Sequence, residues 1–211
     1  TQNQAFSALL FLYRTVLQRP FPDLEGVIRA RRPARLPVVL TKQEVRDVLG
    51  RMEGTPRLVA SLLYASGLRL LEGLRLRVQD LDFGLRQILV RNAKGNKDRR
   101  TMLPDSLTEA IQCQLELVKH VHQEDLKAGY GQVHLPNALH RKYPRADRSW
   151  AWQYLFPAAQ RSTDPTDRIL KRHHQGESTI QKAVKRAATK AGLTKPATPH
   201  TLRHTFATHL L

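Results

Sequence analysis

The 211-residue sequence predicts an α+β protein, mainly α-helical with a small antiparallel β-sheet. Three observations support that class. Apolar residues recur at helical spacing behind recognisable helix starts, as in Val45, Val48 and Leu49, or Ile180, Ala183, Val184 and Ala187. Between Val78 and Leu103 the pattern changes to alternation broken by turn residues. From Pro199 onward Leu202, Phe206 and Leu210 return to helical spacing behind a proline suited to a first helical turn.

In order along the chain, residues 5–17 (AFSALLFLYRTVL) carry apolar groups on nearly every helical face, which predicts a helix packed among others. Residues 1–19 therefore read as the last helix of an N-terminal helical domain whose earlier helices precede the sequence. Residues 20–38 hold four prolines and the cluster Arg29, Arg31, Arg32 and Arg35, the composition of a solvated, extended linker able to lie along phosphates. A merely solvated charge run has the same composition. A second domain, residues 39–211, opens at Thr41, where Glu44 completes a capping box. Pro56 opens a further helix, Gly67 is suited to ending it, and Arg69 follows before a short helical stretch to Leu76. The sheet comprises residues 80–83, 87–91 and 99–103, with Gly95 and Asn96 turning a long hairpin tip that carries Lys94. Helices are expected over 105–127 and from Glu177 to Ala191, the latter with Lys182, Lys185 and Arg186 on its outer face.

Charge narrows the choice of partner. Lys plus Arg total 35 against 18 Asp plus Glu, a formal net charge of +17, which points to a polyanion, nucleic acid first. No apolar run approaches the roughly 18 residues of a membrane span and no signal-peptide layout is present, so no membrane partner and a cytoplasmic location are expected. The single cysteine, Cys113, forms no internal disulfide and reads as buried filler on its helix.

Two groups of residues carry chemistry. His200 and Arg203 stand three apart and share a helix face, where a guanidinium fork matches two phosphate oxygens and an imidazole exchanges protons near neutral pH. A solvated face gives the same spacing. His200 and His204 stand four apart, as metal ligands can, but Thr201 occupies the position where the zinc-protease pattern places Glu, and no metal is expected. In residues 135–157, Trp150, Trp152, Tyr143, Tyr154 and Phe156 are interleaved with His140, Arg141, Lys142, Arg145 and Arg148. Aromatics among cations suit base stacking. Alternatively, Trp150, Trp152, Tyr154 and Phe156 form one face of a strand pinned to the core.

Three motifs in fixed order, Ala65-Ser-Gly-Leu-Arg69, Lys94-Gly-Asn-Lys97 and Pro199-His-Thr-Leu-Arg203-His, resemble the catalytic domain of tyrosine recombinases, the phage-integrase and Xer group. That resemblance covers essentially all 211 residues and implies the recombinase catalytic-domain fold. It implies that Arg69 and Arg203 clamp the scissile phosphate, Lys94 protonates the leaving 5′ oxygen, and His200 assists proton transfer. It implies a tyrosine nucleophile, a 3′-phosphotyrosine intermediate, and no metal, ATP or other cofactor.

Within that group, Tyr64 to Arg77 and Leu135 to Pro157 are similar to integron integrases, the latter stretch matching the insertion at about 133–158 that sets them apart. The resemblance implies a DNA partner, as duplex and as folded single-stranded cassette sites, with His140, Pro144, Trp150 and Trp152 as candidates for capturing extrahelical bases and Lys142 beside them. It also implies a tetramer on DNA for a full-length parent. All five tyrosines, Tyr13, Tyr64, Tyr130, Tyr143 and Tyr154, precede His200, so the sequence is expected to be an interior fragment that binds DNA without cleaving it. The competing readings are a noncatalytic DNA-binding module that uses the same residues to grip phosphate, and a topoisomerase of the same chemistry, against which the insertion argues.

Overall fold

The computed structural model describes residues 2–21, 36–93, 97–136 and 139–210, which fall into two compact units, Thr1–Leu36 and Pro37–Leu211. Lys94, Arg31, Arg32 and Arg35 lie outside the described residues, as does the side chain of His140. In the first unit, helix α1 (Gln2–Phe11) runs into a π-helical turn over Leu12–Val16. Phe21 folds back so that its ring meets Phe6 and Tyr13 edge to face, at 5.7 and 5.2 Å. No residue of α1 is buried, and Phe11 is 61% exposed.

The second unit is built around helices α2 (Lys42–Gly50), α3 (Gly54–Ser66), α7 (Glu177–Lys190) and α8 (Pro199–His209). Between α3 and α7 lie the short α4 (Leu70–Leu74), the long α5 (Thr108–Lys127) and the single-turn α6 (Leu139–Lys142). Strands β1 (Leu81–Asp82), β2 (Gln87–Ala93) and β3 (Lys97–Met102) form an antiparallel sheet in that order. Val90 pairs with Arg99, and the register shifts between Val90 and Ala93 before the hairpin tip. A two-stranded ribbon, β4 (Ser162–Thr163) with β5 (Leu170–Lys171), completes the protein. The fold is therefore mainly helical with small antiparallel sheets.

Amphipathic periodicity explains the core. Val45 and Val48 of α2, Val59, Leu62 and Leu63 of α3, Ile88 and Val90 of β2, Ile111 of α5, Ile180 and Val184 of α7, and Leu202 of α8 all belong to one buried cluster. Local signals place the helix starts. Thr41 accepts from the Glu44 N–H at 3.1 Å while Glu44 accepts from the Thr41 N–H at 2.7 Å, the reciprocal box expected from the sequence. Thr198 and Thr201 make the same exchange ahead of α8, with Pro199 in its first turn.

Three expectations need correction. Cys113 is exposed, because the buried stripe of α5 runs through Ile111, Gln114, Val118, His122 and Asp125, and position 113 points away from it. Leu210 does not extend the docking stripe of α8: the helix ends at His209 and Leu210 is 67% exposed. Trp150 to Phe156 is no strand with alternating faces. Trp150–Trp152 form a 3₁₀ turn, and Gln153, Tyr154, Leu155 and Phe156 are buried in succession because the segment threads the interior. Its Leu155 N–H donates to Leu76 O at 2.8 Å and its Leu155 carbonyl accepts from Gln114 Nε2 at 3.0 Å.

Gly67 ties α3 to α8. It ends α3 at φ +61°, the left-handed region glycine enters freely, and a Cβ there would stand 2.5 Å from the Phe206 ring. Gly67→Ala is therefore expected to lower unfolding stability by about 1–3 kcal/mol from the backbone alone, with the Phe206 collision adding to it. Chemical denaturation checks this, and a loss below half a kcal/mol would show that Phe206 is not seated against this turn.

Candidate functional site

The Gly67 turn delivers Arg69 to the start of α4, and Glu72 of the same short helix lies one turn further on. The Glu72 carboxylate is nearly buried, at 9% side-chain exposure, and collects three guanidinium groups from three parts of the chain. Arg69 Nη1 donates to Oε1 at 2.7 Å, Arg99 Nη2 of β3 donates to Oε2 at 2.7 Å, and Arg203 Nη1 of α8 approaches Oε2 at 3.4 Å. The Arg69 backbone N–H also donates to Oε2, at 2.8 Å. Burial by itself raises the Glu72 pKa, but the bonds from the Arg69 N–H, the Arg69 guanidinium and Arg99 outweigh it and hold the carboxyl below its ordinary value. Glu72 is therefore ionised at neutral pH, and the cluster of three cations and one anion carries a net charge of +2.

Arg203 reaches this point because α8 is docked on its opposite side. Leu202 is fully buried, and the Thr205 hydroxyl accepts from the Leu40 N–H at 3.1 Å while donating to Thr201 O. His200, one turn before Arg203, is exposed at the mouth of a cleft of about 720 Å³. That cleft is lined by Leu68, Arg69 and Leu70, by Gln181 and Lys185 of α7, by the segment 193–198, and by His200 and Arg203. The structure thus brings Arg69, His200 and Arg203 to one cleft. Glu72 and Arg99 join them without having been expected from the sequence. The signal for Glu72 was a carboxylate three residues after Arg69, the spacing of a helix-start box; Arg99 gave none, because only strand pairing turns it toward Glu72.

His200 Nε2 lies 2.8 Å from His204 Nε2, so one ring donates its N–H to the other according to their tautomers. Burial, followed by the charges of His204, Arg203 and Arg69, holds the His200 pKa below its ordinary 6.5. Among the described residues no group of three or more His, Cys, Asp or Glu side chains is arranged to hold a metal ion. At neutral pH the cleft therefore presents fixed guanidinium cations beside a neutral imidazole, able to bind an anion through charge and to exchange a proton through His200.

The aromatic segment makes a separate cluster. Arg77, only 6% exposed, lies 3.9 Å from the Tyr154 ring centroid and 5.7 Å from that of Trp152, and donates to Trp152 O and His134 O at 2.6 Å each. Arg91 stands 5.6 Å from the Trp152 centroid and is held by Asp80 at 2.7 Å. Trp152 is half-buried among these cations, and Trp150 is half-buried with its ring centroid 6.1 Å from that of His122. Lys142 and Pro144 are exposed at and just after α6. Lys182, Lys185 and Arg186 are exposed on α7 as the sequence indicates.

Residues 38–211 match the phage integrase family across their whole length. The chain belongs to that family. It is similar to an integrase/recombinase of Escherichia coli, with 51% identity over all 211 residues, which span 63% of that relative. It is also similar to the tyrosine recombinase XerA of Thermococcus onnurineus, with 32% identity over 85% of this chain and 50% of that protein. The chain thus spans less than two thirds of the length of these relatives. Two solved structures share its fold at 24% sequence identity. One is XerA recombinase, with a TM-score of 0.54 over all of this chain and 62% of that one. The other is the XerH site-specific recombinase bound to its difH substrate, with a TM-score of 0.57 over all of this chain and 54% of that one.

The lowered pKa sets an expected titration. Folding moves the His200 pKa downward, so the unfolded ring takes its proton first as pH falls, and this group subtracts stability below about pH 6.5. An NMR titration of the imidazole should place its midpoint below that of a free histidine, and Arg203→Ala should move it upward by removing a neighbouring cation. A wild-type midpoint at or above the free value would mean that the guanidinium groups do not face His200.

Proposed function

We propose that these residues form the phosphate clamp and DNA-gripping surface of an integron-type tyrosine recombinase, acting in the cytoplasm on duplex and folded single-stranded cassette sites. The observation that carries the proposal is the meeting of Arg69 and Arg203 on Glu72, two positions of which, Glu72 and Arg203, stand 131 residues apart in sequence. In this reading Arg69 and Arg203 grip the two nonbridging oxygens of a phosphodiester. During attack, negative charge concentrates on those oxygens, and preoriented guanidinium groups stabilise it more than they stabilise the ground state. His200 orients the phosphate and passes a proton, and Lys94 is assigned protonation of the leaving 5′ oxygen. No step requires a cofactor.

Because all five tyrosines precede His200, the 211 residues supply the clamp rather than the nucleophile, and by themselves bind DNA without cutting it. Strand cleavage and rejoining belong to a protein that unites this clamp with a tyrosine, working as a tetramer on paired DNA. Trp150, Trp152, His140, Lys142 and Pro144 are assigned to contact with extrahelical bases, and Arg31, Arg32 and Arg35 to contact with the DNA backbone. Arg77 and Arg91 stand over the Trp152 ring and place positive charge beside it, which favours the approach of an anionic strand.

Strand-cleavage assays on a recombinase carrying these residues test the clamp. Arg203→Ala should slow cleavage by about 10²–10³-fold or more while DNA affinity falls far less; comparable losses in both would favour a noncatalytic binding module. Trp152→Ala should impair binding of folded hairpin sites while sparing duplex, and equal loss on both would assign the ring to packing alone. Affinity of the chain for DNA should fall with salt at a log–log slope of about 0.9 per phosphate contacted, and a flat dependence would contradict a charge of +17 acting through phosphates.

A further inference from the structure

Oε2 of Glu72 has fewer acceptor positions than donors competing for them: three donors reach it, while Oε1 takes only Arg69 Nη1. Each carboxylate oxygen offers about two lone-pair directions. On Oε2 these are taken by the Arg69 N–H at 2.8 Å and by Arg99 Nη2 at 2.7 Å. Arg203 Nη1 comes third, at 3.4 Å, well beyond the roughly 2.7–2.9 Å of a charge-assisted bond. Among the described residues, no carboxylate other than Glu72 reaches Arg203. We propose that Arg99 is a positioning residue: by occupying Oε2 of Glu72, it limits Arg203 to one long contact with that carboxylate and leaves the rest of the Arg203 guanidinium free for a substrate phosphate.

The inference rests on the clamp reading above and adds a role that neither motif spacing nor the arginine pair reveals. Glu72 is required to hold Arg69 at the start of α4, yet a bare carboxylate beside Arg203 competes with the substrate for the same donors. Arg99 resolves the conflict. It arrives from β3 opposite Val90, where strand pairing fixes its position independently of both helices. Its side chain is 33% exposed, against 27% for Arg203, so both guanidinium groups border solvent while Glu72 does not. Removing Arg99 frees a lone pair on Oε2, Arg203 moves onto it, and the cluster falls from +2 to +1 with its best phosphate donor engaged internally.

The test is a double-mutant cycle read by fluorescence anisotropy with this chain and a short labelled DNA duplex, each variant checked for folding by circular dichroism. Arg203→Ala should weaken binding by about tenfold, the loss of one charged hydrogen-bonded contact. Arg99→Ala should cost a similar factor, and the Arg99→Ala/Arg203→Ala double variant should be no weaker than either alone. Glu72→Gln keeps an acceptor for the helix-start bond but removes the charge, so adding it to Arg99→Ala should restore most of the lost affinity. Arg99→Lys, which keeps a cation on Oε2, should stay within about threefold of wild type, and it carries the test if Arg99→Ala fails to fold. Additive losses, no rescue by Glu72→Gln, or a tenfold loss in Arg99→Lys would each overturn the positioning role while leaving the clamp intact. Unchanged binding in Arg203→Ala would also overturn it, whereas an Arg203→Ala substitution that leaves both binding and strand cleavage unchanged would sink the clamp reading itself.

Discussion

A single ionised carboxylate in a protein of charge +17 organises the site. Three guanidinium groups brought near one another repel, and Glu72 offsets that repulsion. It does so because it is nearly buried and is held by the N–H of Arg69 as well as by side chains, so its charge is fixed and poorly screened. The arrangement leaves an excess of positive charge rather than a neutral pair.

The backbone devices around the cluster serve the same end. Gly67 allows α3 to stop and α4 to begin within three residues, and the space a side chain would take is filled by Phe206 of α8. The α8 helix is fixed at its start by Thr198 and Thr201 and at its middle by the buried Thr205 to Leu40 bond. Its apolar and hydroxyl face is spent on docking, which leaves His200 and Arg203 on the side facing Arg69. The geometry of the arginine cluster and core packing are therefore coupled through one turn and one helix.

The segment from Leu135 to Pro157 shows a division of labour among aromatic residues. Tyr154 and Phe156 are buried and anchor it, with Arg77 stacked on Tyr154 and bonded to the carbonyls of Trp152 and His134. Trp150 and Trp152 remain half-buried on the anchored scaffold. Core packing applies to Tyr154 and Phe156, and the chain turns at Trp150–Trp152 instead of continuing as a strand.

Helix positions, their caps, the glycine turn and the existence of the hairpin were legible in the sequence, because each follows from contacts between residues a few positions apart: Thr41 with Glu44, Thr198 with Thr201, Val45 with Val48. Arg69 and the His200–Arg203 pair were legible as candidates for the same reason, through motif spacing and helical period. Their meeting was decided only by the tertiary structure, as were the partnership of Glu72 with Arg99, the exposure of Cys113, and the interior path of Gln153 to Phe156. Those features depend on which face of each element meets the core, and on contacts such as Glu72 with Arg203 that span 131 residues. Local periodicity carries no information about such distant pairs; the shared core of α3, β2 and α8, with β3 paired onto β2, supplies it.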